Sequence, residues 1–271
     1  MSQPDKLNLG CGDIYVTDED WLNYDYLPHS DNVKKIDLGK PFPLKSETFV
    51  LVYSSHFLEH LTSTTLKLVL QESFRVLKKG GIIRIVVPDF DEMIQRYQDL
   101  KTREPLQSRF VKAEILDQLV RGQSGGRLVE YYRLAENNST LAKFITLRNG
   151  HVFSPRKSNY VMTARKLFSG DFYGAVTRRL SRKYFLFLVE LMPSAYRHNL
   201  VSKAHVGELH KWVFDFEELA DLLHQEGFDE VKRVGADTSQ FLGFPYFPLD
   251  LDEEGRIRKG EESMYVEAMK K

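Results

Sequence analysis

The chain predicts an α/β fold, and three observations carry that expectation. Short apolar runs recur through the first ninety residues, each closing on polar or glycine residues. Over residues 62–77 the apolar spacing lengthens to that of a helix, with Leu66, Leu70, Phe74 and Leu77 on one stripe. After more than a hundred residues in which the rhythm is lost, a helix and strands return from Asp215 onward. Composition agrees: 271 residues, 42% hydrophobic and 28% charged with 38 basic and 38 acidic side chains, exclude disorder, collagen and coiled coil. That length is one large domain, or one carrying an insertion.

Taken in order, residues 6–9 form the first strand and run into Gly10-Cys11-Gly12. Residues 21–24 end at Asp25, 33–36 at Asp37-Leu38, and 49–53 at Ser54-Ser55. Hydroxyl residues from Thr62 open the first helix, and Gly80-Gly81 is its expected stop. Residues 82–87 read as a buried parallel strand closed by Pro88-Asp89. Asp215, with Glu218 three residues on, is an N-cap for a helix that carries Leu219, Leu222 and Leu223 and stops at Gly227. Residues 230–234 and 264–268 are the last strands. Only the 10 residues 11–20 separate the first two strands, fewer than the dozen or so of a helical crossover, so a loop is expected there.

Zero net charge hides an asymmetry. Residues 93–205 hold 20 Lys/Arg against 8 Asp/Glu, leaving the rest with 18 against 30. A basic middle inside an acidic frame suits an anionic partner such as a phosphorylated substrate, nucleic acid or lipid head groups, and a solvated helical surface accounts for it equally. Within it, the basic cluster 178–183 adjoins the apolar block 184–189, which suits either peripheral contact of residues 178–193 with an anionic membrane or a helix in its own core. The single cysteine, Cys11, excludes an internal disulfide and any multi-thiolate metal site. Apolar runs such as 185–189 fall far below the roughly 20 residues of a membrane span. Polar residues 1–6 leave no room for a signal peptide, so a cytoplasmic location is expected, at most peripheral to the inner face of the membrane.

Two glycines at the carboxyl end of the first strand let a ligand approach the backbone, which suits a nucleotide-like cofactor. The third glycine of a dinucleotide fingerprint would fall at Tyr15, so NAD and FAD are disfavoured. Asp25 ends the next strand, where a carboxylate accepts both hydroxyls of a ribose or caps a tight turn. His56-Phe57-Leu58-Glu59-His60 also fits H-x-x-E-H, a zinc hydrolase signature, but a strand ends immediately before it where a long helix is needed. Histidines bonded to backbone, with no metal, are the expectation. Cys11 between glycines reads as a packing residue rather than a nucleophile. Trp212, with His205, Glu208 and His210, precedes a helix and could reach over the sheet, which makes His210 an acceptor-site candidate.

In their order along the chain, Gly10-Cys11-Gly12, Asp25, Asp37-Leu38, the stretch Ser54-Ser55-His56-Phe57-Leu58-Glu59-His60-Leu61 and Arg75-Val76-Leu77-Lys78-Lys79-Gly80-Gly81 resemble the class I S-adenosylmethionine-dependent methyltransferases. The likeness is to the type 11-like branch reading LNLGCG, W-x-N-x-D, S-S-H-x-L-E-H and R-V-L-K-x-G-G, and covers residues 6–89 well and 208–228 more loosely. It implies a doubly wound, Rossmann-like, seven-stranded and mostly parallel sheet with an antiparallel last strand and a helical insertion. Residues 1–92 and 206–271 would form the cofactor domain, and 93–205 the basic insertion. Gly10 and Gly12 would pass under the methionine part of the cofactor, Asp25 would hold the ribose, and Asp37 and Leu38 would flank the adenine. Asn8, Cys11 and Ser54 complete the set, with Ser55 and His56 facing sulfonium and acceptor. If the acceptor is a hydroxyl a base must take its proton. His56 is the first choice, Asp89 the second. The expected function is O-methylation of an anionic sugar, glycan or related small molecule, the sugar by analogy with surface-polysaccharide pathways. A nucleic-acid methyltransferase, a zinc hydrolase and an inactive cofactor-binding protein are the alternatives.

Overall fold

Seven strands form one sheet in the order β3-β2-β1-β4-β5-β7-β6. The strands are β1 (Lys6–Leu9), β2 (Trp21–Asp25), β3 (Val33–Lys35), β4 (Phe49–Ser55), β5 (Leu77–Pro88), β6 (Asp229–Val234) and β7 (Ser263–Met269). β1 to β5 pair in parallel, and β7 runs antiparallel to both β5 and β6. The sheet winds outward in both directions from β1, as the sequence predicts. This computed structural model describes residues 3–28, 30–150, 153, 170–194, 196–197, 202, 204 and 207–271.

One face of the sheet is covered by helices. Leu7, Leu9, Val52, Ile83, Ile85 and Val87 pack against α1 (Ser63–Val76), through Leu66, Val69 and Leu70. Leu219 and Leu223 of the last helix cover the rest. Each such side chain contributes roughly 1.5–3 kcal/mol by leaving water. The Thr62 hydroxyl accepts from Thr65 N–H and starts α1. The helix ends at Val76 and the fully buried Leu77 opens β5 at once, so Gly80-Gly81 do not stop it. They lie inside β5, where Gly80 takes φ +75° and donates its N–H to Lys270 O at 2.6 Å.

The other face is covered by coil. Ile14 and Val16 from the short connection, and Ala236, Leu249 and Leu251 from the long loop before β7, pack on Leu51, Tyr53, Ile82 and Val86. Asn8, expected beside the cofactor, is a staple for this coil. It is 1% exposed, and its Nδ2 donates to Ile14 O at 3.2 Å and to Asn23 Oδ1 at 3.3 Å, while Asn23 Nδ2 donates to Val16 O at 2.9 Å. The second loop is held by Arg84 of β5, itself fully buried. Its guanidinium donates to Asp250, Glu267, Thr238 O and Gly235 O at 2.7–2.9 Å and lies 4.1 Å over the Phe244 ring.

Between β5 and β6 come the helices α2 (Phe90–Leu100), α3 (Pro105–Val120), α4 (Leu128–Ala135), α5 (Ser139–Asn149) and α6 (Gly170–Leu191). Phe110, Leu128, Ala135, Leu141 and Ile145 give α3–α5 a core of their own. Some of the insertion's arginines are used inside the fold: Arg148 is fully buried against Glu92 and Glu114, and Arg121 is buried against Asp117. Along the described side chains of α6, Val189 is buried while Leu180, Tyr184, Phe187 and Leu191 are each at least half exposed. Within the cluster 178–183, the Arg178 side chain lies outside the described residues. α7 (Phe216–Gln225) then starts as predicted, Asp215 Oδ1 accepting from Glu218 N–H at 2.8 Å, and is followed by Gly227 at φ +95°. No helix among the described residues is long and apolar enough to cross a membrane.

Candidate active site

The carboxyl ends of β1, β2 and β4 bring the glycine turn, Asp25 and Ser54-Ser55 side by side, Leu9 pairing with Tyr24 on one flank and Ser54 on the other. Gly10 and Gly12 both lie in the left-handed region, at φ +65° and +54°. Gly12 N–H donates to Asp25 Oδ2 at 2.9 Å and Leu27 N–H to Asp25 Oδ1 at 2.8 Å. Asp25 therefore both shapes the turn and keeps acceptor capacity, because a carboxylate offers about four lone-pair sites. Space over Gly12 is open. Ser54 Oγ is buried with no hydrogen-bond partner. Leu38 is buried and Asp37 exposed, its Oδ1 accepting from Gly39 N–H at 3.1 Å.

Gly10 has a different use from the one expected. A Cβ there would sit 2.3 Å from the Phe57 ring, so the missing side chain admits Phe57 rather than leaving a path for the cofactor. Cys11 is buried, and burial together with the Asp25 charge pushes its thiol up to about 12, which leaves no thiolate at neutral pH.

His56 follows β4 directly, in the left-handed region at φ +48°, a conformation a non-glycine residue holds only where its surroundings impose it. Its N–H donates to Val86 O at 2.8 Å and its Nε2 lies 3.0 Å from Ser263 Oγ, which fixes the ring. Burial, and then the charge of Lys259, hold it well below the ordinary histidine value, so the imidazole is neutral. The ring opens into a cavity of about 340 Å³ between α3, α4, the end of α5 and the segment 258–262. Glu114, Gln118, Tyr132, Asn149, Arg258, Lys259 and Glu262 line it, and Leu128 is its one aliphatic side chain among the described residues. Glu114 is held well above the usual carboxylate range, by burial first and by neighbouring Glu262 second. The cations at this cavity are Arg258 and Lys259, from the loop before β7, while α3 of the basic insertion contributes Glu114. No sequence motif marked these residues.

Other candidates lie elsewhere. Asp89 is placed apart from the cavity lining: its Oδ1 caps α2 by accepting from Glu92 N–H at 3.3 Å, and its Oδ2 takes Arg233 at 2.5 Å. His210 is absent from the cavity lining. It is buried with its ring centroid 4.7 Å from that of His60 and is pushed down to about 3, chiefly by burial. Trp212 Nε1 donates to Glu218, Glu208 accepts from Gly125 N–H, and His205 lies outside the described residues. The H-x-x-E-H stretch forms only a three-residue 3-10 turn, Leu58–His60, so His56 and His60 do not share a helical face. His60 Nδ1 donates to Leu209 O at 2.8 Å.

Residues 24–85 match the family model described as a methyltransferase domain. No curated protein matches the chain. Among solved structures, an S-adenosylmethionine-dependent methyltransferase from Methanosarcina mazei is 12% identical, with 100% of this chain and 94% of that chain covered and a TM-score of 0.41. A second, from Archaeoglobus fulgidus, is 13% identical over 98% and 86%, at 0.40. A third, from Thermotoga maritima and described as a possible histamine N-methyltransferase, is 15% identical over 100% and 84%, at 0.38. Residues 24–85, which run from β2 to β5, thus carry a likeness to a methyltransferase domain, and the cofactor that likeness implies is S-adenosylmethionine. The residues fit that group: open space over Gly12, the spare acceptor capacity of Asp25 and the orphaned hydroxyl of Ser54 are what an adenosyl ligand calls for.

Proposed function

We propose that the chain methylates a hydroxyl of a small anionic acceptor of sugar-like polarity, bound in the cavity beside His56. The observation that carries this reading is the cavity itself: about 340 Å³, within the range of small-molecule pockets, almost wholly polar, and opening onto a neutral imidazole next to the strand ends. Arg258 and Lys259 suit an anionic group, and Gln118, Asn149 and Tyr132 suit hydroxyls. Gly12, Asp25, Asp37, Leu38 and Ser54 would hold the cofactor, which supplies a methyl group on a cationic sulfur. Such a donor needs little covalent help, so this chain's residues mainly align the acceptor and exclude water. His56 would take the acceptor's proton at Nε2, the nitrogen now bonded to Ser263 Oγ, since Nδ1 faces Glu59 at 3.5 Å.

Incubating the protein with isotopically labelled S-adenosylmethionine and cell extract, then searching by mass spectrometry, should find the label on a small hydroxylated anion. Label confined to nucleic acid or protein would refute the reading. The variant H56A should bind S-adenosylmethionine in calorimetry as the wild type does yet lose turnover on the acceptor found; undiminished turnover would remove His56 from the mechanism.

A further inference from the structure

The turn after β4 holds a second group of side chains, outside the lining of the cavity beside His56. Glu59 is fully buried, and neither of its carboxylate oxygens has a hydrogen-bond partner. Native structures avoid leaving a buried carboxylate in that state, because its desolvation is left unrecovered. The basic groups within ion-pair reach are the rings of His56, with Nδ1 at 3.5 Å, and His60, with Nε2 at 3.9 Å. His210 completes the cluster from the far side of the insertion. One donor atom from each of Glu59, His60 and His210 lies within 4.8 Å of the others.

We propose that Glu59, His60 and His210 bind one divalent transition-metal ion of the zinc class. The imidazole of His60 is prepared for it. Its Nδ1 donates to Leu209 O at 2.8 Å, which puts the proton on that nitrogen and turns the Nε2 lone pair toward Glu59, the outer-shell arrangement of metal-binding histidines. His210 is held in place by its ring packing edge-on against His60 and by backbone hydrogen bonds. Its N–H donates to Gln118 O at 2.9 Å, and the next two residues donate theirs to the carbonyl of Glu59 at 2.7 and 3.2 Å. The segment bearing the third ligand is thus tied to the residue bearing the first.

Two imidazoles and a carboxylate without thiolate are a zinc donor set with a fourth position left for water. Tetrahedral bonds of about 2.0–2.1 Å put donor atoms roughly 3.3 Å apart, so side-chain rotations of about an ångström close the site. The set differs from the one H-x-x-E-H suggests. It takes the glutamate and the second histidine of that motif and adds His210 from outside it, while His56 has its Nε2 engaged by Ser263 Oγ.

The test uses the full-length protein with any affinity tag cleaved off. Elemental analysis after gel filtration should find about one equivalent of zinc per chain, and chelator-stripped protein should recover it in calorimetry with zinc chloride. Cobalt in its place should give the visible absorption of a low-symmetry site. The variants H210N and E59Q should each weaken zinc binding at least about tenfold. Because either variant could disturb folding, zinc is also expected to raise the melting temperature of the wild type. Wild-type protein that purifies without metal, takes up no zinc and melts at the same temperature with and without it would overturn the proposal. So would zinc uptake unchanged in both variants, which would put the ion elsewhere.

Discussion

A single methyl group added at Gly10 would meet the Phe57 ring at 2.3 Å from a backbone held at φ +65°. G10A should therefore cost about 2–4 kcal/mol in urea denaturation, combining overpacking with left-handed strain. In an F57A background the same change should cost only the strain, about 1–2 kcal/mol, and equal costs in the two backgrounds would show that Phe57 does not occupy that space. Glu114 supplies the pH dependence. Its folded-state proton affinity is raised above the unfolded value of 4.5, so above that pH the folded chain holds more protons than the unfolded one. Stability should then fall as pH rises from 4.5 toward the raised value, and E114Q should flatten the fall. Urea midpoints at about pH 5 and about pH 8 measure the difference; parallel curves for wild type and variant would reject the assignment. At this scale the sequence was legible where a residue's use is local. Asp215 as a cap and Cys11 as a packing residue could be read from their neighbours, whereas Asn8 pairs with Asn23 of the next strand and Asp89 takes Arg233 from 144 residues away, which no spacing rule connects to them.

At the scale of elements, β5 carries a charge in the middle of an apolar run, and Arg84 ties down the coil that stands where helices cover the opposite face. R84M keeps the volume but leaves Asp250 and Glu267 buried without their cation, so it should cost about 3–5 kcal/mol in chemical denaturation. A cost below about 1 kcal/mol would mean that the coil is held by its apolar contacts alone. The strands and both flanking helices were readable because periodicity reports which face is buried. The glycine pair at 80–81 misleads for a physical reason: Leu77 is needed in the core as the first residue of β5, so the helix ends before the glycines are reached. The docking of residues 235–251 was not readable, since Arg84 and Asp250 lie 166 residues apart.

Across the whole molecule, the cofactor half and the acceptor half differ in how they are encoded. Asp25, the glycine turn and Ser54 sit at the ends of three neighbouring strands, β2, β1 and β4, each a short apolar run closed by a recognisable polar or glycine residue. The cavity draws on five separate stretches around positions 56, 114–118, 128–132, 149–150 and 258–262, and only the fold brings these together. The charge asymmetry of residues 93–205 pointed to the insertion as the cationic surface, yet Arg121 and Arg148 of that stretch are buried in ion pairs and the cavity's cations, Arg258 and Lys259, come from outside it. The coil-covered face has one more consequence. With a single guanidinium donating to Asp250, Glu267 and two loop carbonyls, the segment 235–251 has few independent ways to loosen, and its amides should share one protection factor against deuterium exchange, as a unit that opens and closes together.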